Sequence, residues 1–153
     1  MKKLLIGLGN EYCGDDAIGI IIAKQLKEIN HDCDLKIGGL TAFDLLEAID
    51  GYDLVVIVDA LHTPDSTAGE IYELKIEDFK GESDQSYIHG MNLASALDIG
   101  SRLKLSMPGS IKIFGIGIRH KCDYGDRLDP DLEKSLPELV LKINRIIMHV
   151  KEN

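Results

Sequence analysis

The sequence is poor in aromatic residues and in cysteine. It contains no Trp, and Phe, Trp and Tyr together make up 5% of the chain, so a hydrophobic core has to be built from aliphatic side chains. The cysteines are three in number and show no CxxC spacing, which argues against a disulfide framework. Because an odd set of reduced thiols is typical of a cytosolic protein, we expect a cytoplasmic location.

Long apolar runs and clusters of basic residues are also missing. The longest apolar run, over residues 18–23, is too short to cross a bilayer, and no small-residue cleavage site precedes Gly7. We therefore expect no membrane association and no signal peptide. The excess of acidic over basic residues gives a net charge of −9. This charge repels a phosphate backbone and favours basic protein surfaces or metal cations as partners, with no nucleic acid.

The length and the order of the apolar segments predict the fold class. With 153 residues, 44% of them hydrophobic, the chain is expected to form a single domain over residues 1–153. Strand-like runs alternate with helical periodicity, and the run DLVVIV at residues 53–58 is apolar on both faces, as in a parallel sheet covered by helices. We predict an α/β fold, a three-layer α/β/α sandwich with a mostly parallel twisted sheet and room for one antiparallel edge strand. No long exposed apolar helix stripe is visible in the pattern, so we expect a monomer.

The same patterns predict the individual elements. Strands are predicted at residues 2–8, 34–37, 53–58, 70–76 and 111–118, the last interrupted by Gly115 and Gly117. Helices are predicted after Asp16, at residues 43–49 and 92–105, and from Pro130 onward. Asp15 or Asp16 is predicted to cap the first helix and Asp129 the last. Ligands of such sheets bind beyond the carboxyl ends of the strands, where we place Asp59 and the loop that ends at Asp16.

The stretch GLGN, after the first strand, is compared first with a dinucleotide-binding loop. Gly7 and Gly9 match two glycines of G-x-G-x-x-G, but Tyr12 stands at the third. The carboxylates of Asp15 and Asp16 would repel a pyrophosphate at the helix start. We therefore predict that no nucleotide is bound, with a nucleotide-binding regulator as the weakest of three interpretations.

A metal site is the stronger interpretation of the acidic residues. Asp59 follows a buried strand, Asp16 lies in the loop after the first strand, and His89 precedes a predicted helix in a glycine-flanked segment. Two carboxylates and an imidazole suit a borderline divalent ion such as nickel or zinc and leave coordination positions open. Each residue also has a structural alternative, namely a helix cap, a turn former and a solvated histidine.

Several motifs, in order along the chain, resemble the hydrogenase maturation protease family. GLGNEYCGDDAIG is similar to the family's opening G-x-G-N-x-x-x-x-D-(D/E)-G-x-G, and Val58-Asp59-Ala60 to its strand-end V-D-A. Gly38-Gly39 before Asp44-Leu45-Leu46, a histidine opening the next helix and the final LPELV also match. Ala17 replaces a glycine, and Thr41 stands one place later than in the family's G-G-T. The sequence after the last strand also differs.

The resemblance implies an endopeptidase that removes the carboxyl-terminal extension of a [NiFe]-hydrogenase large-subunit precursor after nickel insertion. By the same resemblance Asp16, Asp59 and His89 bind the metal and form the catalytic site, and the nickel belongs to the precursor rather than to the enzyme. Two routes of activation stay open, a metal-polarised carbonyl or water and a carboxylate general base. A non-enzymatic nickel-binding chaperone with the same ligands is the alternative function.

Other residues near these motifs are secondary candidates. Cys13 is a candidate nucleophile or soft ligand. His62, and His120 with Arg119 and Cys122, are placed by sequence near the same sheet edge. No Ser-His-Asp arrangement and no HExxH motif offers another protease mechanism.

Overall fold

The computed structural model describes residues 1–76, 93–119 and 124–150. The strands are β1 Lys3–Leu8, β2 Cys33–Gly38, β3 Leu54–Leu61, β4 Ile71–Leu74 and β5 Ser110–Gly117. The helices are α1 Ile18–Ile29, α2 Ala42–Ile49, α3 Leu93–Arg102 and α4 Pro130–Met148, and a short 3-10 turn, Gly14–Ala17, precedes α1.

The strands form one sheet in the order β2-β1-β3-β5-β4. The pairs β1–β2, β1–β3 and β3–β5 are parallel, and β4 runs antiparallel to β5 at one edge. This arrangement confirms the predicted fold class, including the antiparallel edge strand, which comes from the segment predicted at residues 70–76.

Helices cover both faces of the sheet and produce two aliphatic cores. On one face α1 and α4 pack against Val56, Val58 and Ile116, and on the other α2 and α3 pack against Val55 and Ile57. β3 supplies both cores, because neighbouring side chains of a strand point to opposite faces. Each fully buried aliphatic side chain stabilises the fold by roughly 1.5–3 kcal/mol. Within the three described ranges, no helix has the length and apolar composition that a membrane span requires.

The predicted interruption of the last strand is wrong, since β5 continues through Gly115 to Gly117. A Cβ atom at Gly115 would lie 3.1 Å from the Cβ of Leu61, so the glycine lets a neighbouring side chain pack close to the strand. At Gly117, any side chain would collide with the backbone of Thr67. These glycines therefore permit close packing of the sheet edge and do not break the strand.

The strand order also defines where a ligand site can form. From β1 the chain passes to β2, which pairs with one edge of β1, and then to β3, which pairs with the other edge of β1. The connections after β1 and β3 thus separate, leaving a crevice at the carboxyl ends of these two strands, the usual ligand position in an open α/β sheet.

Candidate active site

The loop after β1 folds back on itself and presents Asp16 at this crevice. Gly9 turns the chain with φ +138, a conformation that favours glycine. Two backbone hydrogen bonds, Cys13 N to Asn10 O and Asp16 N to Cys13 O, close the loop at 3.1 Å each. The backbone amide of Asn10 then donates to Oδ2 of Asp16 at 3.0 Å. This bond fixes the orientation of a carboxylate that is only 7% exposed.

The predicted capping of α1 by Asp15 or Asp16 is wrong. Both residues lie within the 3-10 turn Gly14–Ala17, and the N-cap position of α1 is occupied by Ala17, which makes no capping hydrogen bond through its side chain. Asp15 instead accepts a hydrogen bond at Oδ1 from the backbone amide of Asp129, at 2.7 Å. Both carboxylates therefore accept hydrogen bonds elsewhere and do not cap α1, although their positions in the sequence suit a cap.

The segment before α4 supports the loop from outside. Gly14 N donates to Gly125 O, and Gly125 N donates to Tyr12 O, each at 2.9 Å. Together with the bond from Asp129 to Asp15, these contacts attach the loop that carries Asp16 to residues more than a hundred positions away. The sequence contains no local signal for these contacts. It predicts only a capping role for Asp129, which the structure confirms for α4.

Asp59 lies inside β3 and not after it, which corrects the sequence analysis. β3 continues to Leu61 because its pairing with β5 includes Asp59 opposite Gly115 and two further pairs. On the other side, pairing with β1 ends at Gly7 and Val58. Asp59 therefore borders the crevice although it is still a strand residue. It is 2% exposed, and its Oδ1 accepts a hydrogen bond from the amide of Ala60 at 2.8 Å.

The structure brings Asp16 and Asp59 to the same end of the sheet. The turn Gly14–Ala17 contacts β3, and the first turn of α1 lies directly against Asp59. A Cβ atom at Gly19 would be 2.9 Å from the Cα of Asp59. Among the described ranges, no three His, Cys, Asp or Glu side chains form a metal-binding group. His89, the third predicted ligand, lies outside the described residues.

The secondary candidates occupy varied positions. Cys13 is buried, and its burial gives the nucleophile interpretation no support. His62 is exposed, with Nε2 3.1 Å from the carbonyl oxygen of Arg119. The guanidinium of Arg119 lies 3.8 Å from Asp129 and 3.4 Å from Asp131 and so faces the start of α4. His120 and Cys122 lie outside the described residues.

A cleft of about 660 Å³ opens next to the loop, at the carboxyl ends of β1 and β2. Residues 9–12 form one wall, residues 37–41 form the other, and Ile20 lies between them.

Thr41 stands one position later in the chain than the threonine of the family's G-G-T motif. It is the N-cap of α2 and forms a capping box with Asp44. The backbone amide and the hydroxyl of Thr41 both donate to Asp44 and lower the pKa of its carboxyl.

Comparison with known proteins identifies the family. A family model described as hydrogenase maturation protease matches residues 20–146. The chain belongs to the hydrogenase maturation protease family. This membership supports a peptidase activity. The matched residues include Asp59 and His89, whereas Asp16 precedes them, so the place of Asp16 in the family pattern depends on the loop motif. A search of curated proteins finds no significant match.

Solved structures of other family members share the fold of this protease. It is similar to the hydrogenase maturating endopeptidase HybD of E. coli, with a TM-score of 0.73, 19% identity and coverage of 94% of this chain and 90% of that one. For the [NiFe] hydrogenase maturation protease HybD of Thermococcus kodakarensis, the TM-score is 0.70 at 23% identity, with 95% and 99% covered. HycI of the same organism gives 0.69 at 23% identity, with 97% and 93% covered. At these identities the likeness concerns the fold.

Proposed function

We propose that this protein is an endopeptidase that removes the carboxyl-terminal extension of a [NiFe]-hydrogenase large-subunit precursor after nickel has been inserted. Family membership supports a hydrogenase precursor as the substrate. The observation that carries the proposal is the pair of buried carboxylates, Asp16 and Asp59, at the crevice between β1 and β3. Carboxylate oxygens are ligands for divalent cations, and the carboxyl ends of the strands are where ligands of α/β sheets bind.

The cation would be supplied by the substrate. In this proposal Asp16, Asp59 and His89 bind the nickel ion carried by the precursor. Carboxylate and imidazole ligands suit a borderline ion and leave positions for the precursor's own ligands. The amides of Asn10 and Ala60 hold the two carboxylates in orientation before the substrate arrives.

Recognition of the metal would also place the scissile bond. The peptide C–N bond breaks, water oxygen adds to the carbonyl carbon, and a proton passes to the leaving amine. A metal-polarised carbonyl or water supplies activation in one route, and in the other Asp16 or Asp59 removes the proton from water. In both routes only a nickel-loaded precursor is cut, since the precursor without nickel lacks the group that the three side chains bind.

The test follows the mass of a nickel-loaded large-subunit precursor mixed with the purified protein. We expect loss of a carboxyl-terminal peptide from the loaded precursor and none from the nickel-free one. Asp16→Asn, Asp59→Asn and His89→Ala are expected to abolish cleavage while their thermal unfolding stays cooperative. Asp65→Asn is the control, because Asp65 is an exposed carboxylate in the loop after β3. Equal cleavage by Asp16→Asn, or of nickel-free precursor, would refute the proposal. Nickel retention without cleavage would indicate a chaperone.

A further inference from the structure

We propose that the precursor's segment around the cleaved bond binds in extended form, as an added strand along the outer edge of β2, and enters the cleft between residues 37–41 and 9–12. This inference rests on the proposed function and names the way in which the same site holds its substrate.

The first observation is the position of β2 in the sheet. β2 is the terminal strand beside β1, and among the described residues no other strand pairs with its outer edge. Its first residue, Cys33, is buried, and from Asp34 to Ile37 exposed and half-buried side chains alternate, with Asp34 and Lys36 exposed. An extended peptide adds to such an edge through main-chain hydrogen bonds and places alternate side chains on the two faces.

The second observation is that the cleft continues from the carboxyl end of β2 to the candidate active site. Ile37 and Gly38 belong both to β2 and to the cleft wall. Asn10, in the opposite wall, is the residue whose amide donates to Asp16. A chain that lies along β2 and follows the cleft therefore arrives beside Asp16.

The third observation concerns the glycine pair. A Cβ atom at Gly39 would meet no other heavy atom within 4 Å, so packing inside the protein does not require this glycine. Gly38 has equally open space around it, but its φ of +124 favours glycine in any case. The absence of a side chain leaves this wall open to a substrate main chain. The same feature makes Gly39 a site where an added side chain fills the cleft without disturbing the fold.

The fourth observation is the chemistry of the walls. Tyr12, in one wall of the cleft, is 76% exposed, and Phe43, two residues after Thr41 of the other wall, is 72% exposed. Exposed aromatic residues of this kind are typical of protein interfaces. The carboxylate of Glu11 in the lining is paired with Lys24 at 2.6 Å, and the described lining residues include no Lys or Arg. The attraction for basic side chains therefore comes from the charge of −9 on the whole chain. The occupant that fits is an extended segment with apolar and basic side chains.

The opposite edge of the sheet offers less. β4 has four residues against six in β2. β4 is separated from β1 by β3 and β5, so a strand added to it would lie away from the loop that carries Asp16. The two edges therefore form a natural comparison within one molecule.

Steady-state cleavage of the nickel-loaded precursor tests the cleft. Gly39→Val is expected to raise KM by about tenfold with kcat changed by less than about twofold, because it blocks binding and leaves the reacting groups in place. Gly109→Val is the matched control at the opposite end of the sheet, where a Cβ atom would lie 3.8 Å from the carbonyl oxygen of Asp53. Phe43→Ser, at an exposed position, is a second variant should Gly39→Val unfold.

Photo-crosslinking tests the edge. A benzophenone amino acid replaces Lys36 on β2 or Glu73 on β4, both exposed, and the crosslinked precursor peptide is mapped by mass. We expect crosslinks from position 36 to the segment around the cleaved bond. An unchanged KM in both Gly39→Val and Phe43→Ser, or crosslinks from position 73 alone, would overturn the inference. Cleavage by the parent protein would still uphold the proposed function in that case. No cleavage by the parent would overturn both.

Discussion

The backbone amide of Asp129 donates a hydrogen bond of 2.7 Å to Oδ1 of Asp15, across 114 positions of sequence. This bond joins the residue before α4 to the loop after β1. Because Asp15 precedes Asp16 directly, the bond also determines where the neighbouring carboxylate lies. Stability and the geometry of the candidate active site therefore depend on the same contact.

Replacement of Asp15 should therefore affect both stability and cleavage. Asp15→Ala leaves the amide of Asp129 without its acceptor and is expected to lower the free energy of unfolding by about 1–3 kcal/mol. It should also reduce cleavage, because the loop loses its support. Asp15→Asn retains an oxygen acceptor and should lose less of both. The measurements are urea unfolding at constant m-value and the precursor assay.

A matched control exists at the other end of the sheet. Asp50 Oδ1 accepts a hydrogen bond from Ser106 N at 2.8 Å, also between distant residues, but at an exposed site. Asp50→Ala should lower stability by less than Asp15→Ala and leave cleavage unchanged. Equal cleavage by Asp15→Ala and the parent would contradict the positioning role.

Close packing at Gly19 gives a second prediction. A Cβ atom there would lie 2.9 Å from the Cα of Asp59 and would collide with the carbonyl oxygens of Leu8 and Val58. Overpacking of this kind costs about 1–3 kcal/mol, whereas replacing glycine by alanine in a helix normally gains about 1 kcal/mol. Gly19→Ala should therefore be destabilised in urea unfolding. A variant as stable as the parent would show that α1 is free to move away from β1 and β3.

The start of α2 should show a measurable pH dependence. The backbone amide and the hydroxyl of Thr41 hold the pKa of Asp44 below its ordinary value of 3.8. A lowered pKa in the folded state means that this interaction stabilises the protein fully above pH 3.8 and is lost as the pH falls through the lowered value. The stability difference between the parent and Asp44→Asn should shrink across that acidic range in thermal melts. Thr41→Ser keeps the hydroxyl and should behave as the parent; a difference independent of pH would refute the assignment.

Cys33 should be chemically inert in the folded protein. Its side chain is 1% exposed, and burial raises the pKa of its thiol above the ordinary value of 9.0. Because the thiolate is the reactive form, alkylation by iodoacetamide should be slow under native conditions and fast in urea. Ile29→Cys, at an exposed position, is the matched control and should be labelled rapidly. Mass spectrometry of the labelled peptides measures both; equal native rates would contradict the burial of Cys33.

The elements that were predicted correctly depend on neighbours in sequence. The apolar run that forms β3 and the cap and proline that open α4 are local patterns, and both elements lie where the patterns place them. The alternation of strands and helices was enough to predict a mostly parallel sheet. The extension of β3 beyond Val58 was missed, because its last residues are held by pairing with β5, which no local pattern shows.

The candidate site was also predicted only in part, because contacts between distant residues decide the rest. Asp16 and Asp59 lie at the same end of the sheet, as the topology of a parallel sheet requires of residues near the carboxyl ends of adjacent strands. Their roles as metal ligands and catalytic groups stay predictions. The role of Asp15 was predicted wrongly, because a carboxylate before a helix has a strong local reason to cap it. His89 stays a prediction, since it lies outside the described residues.

The sequence by itself determined the class of fold and the residue types available for chemistry, because both follow from short-range periodicity and from the order of motifs. Only the tertiary structure decided what each carboxylate does. The amide of Asn10 orients Asp16, the amide of Asp129 engages Asp15, and Asp59 is enclosed within a strand. Hydrogen bonds to backbone groups outweigh local capping preference here, because a buried carboxylate must find donors wherever the packed chain supplies them.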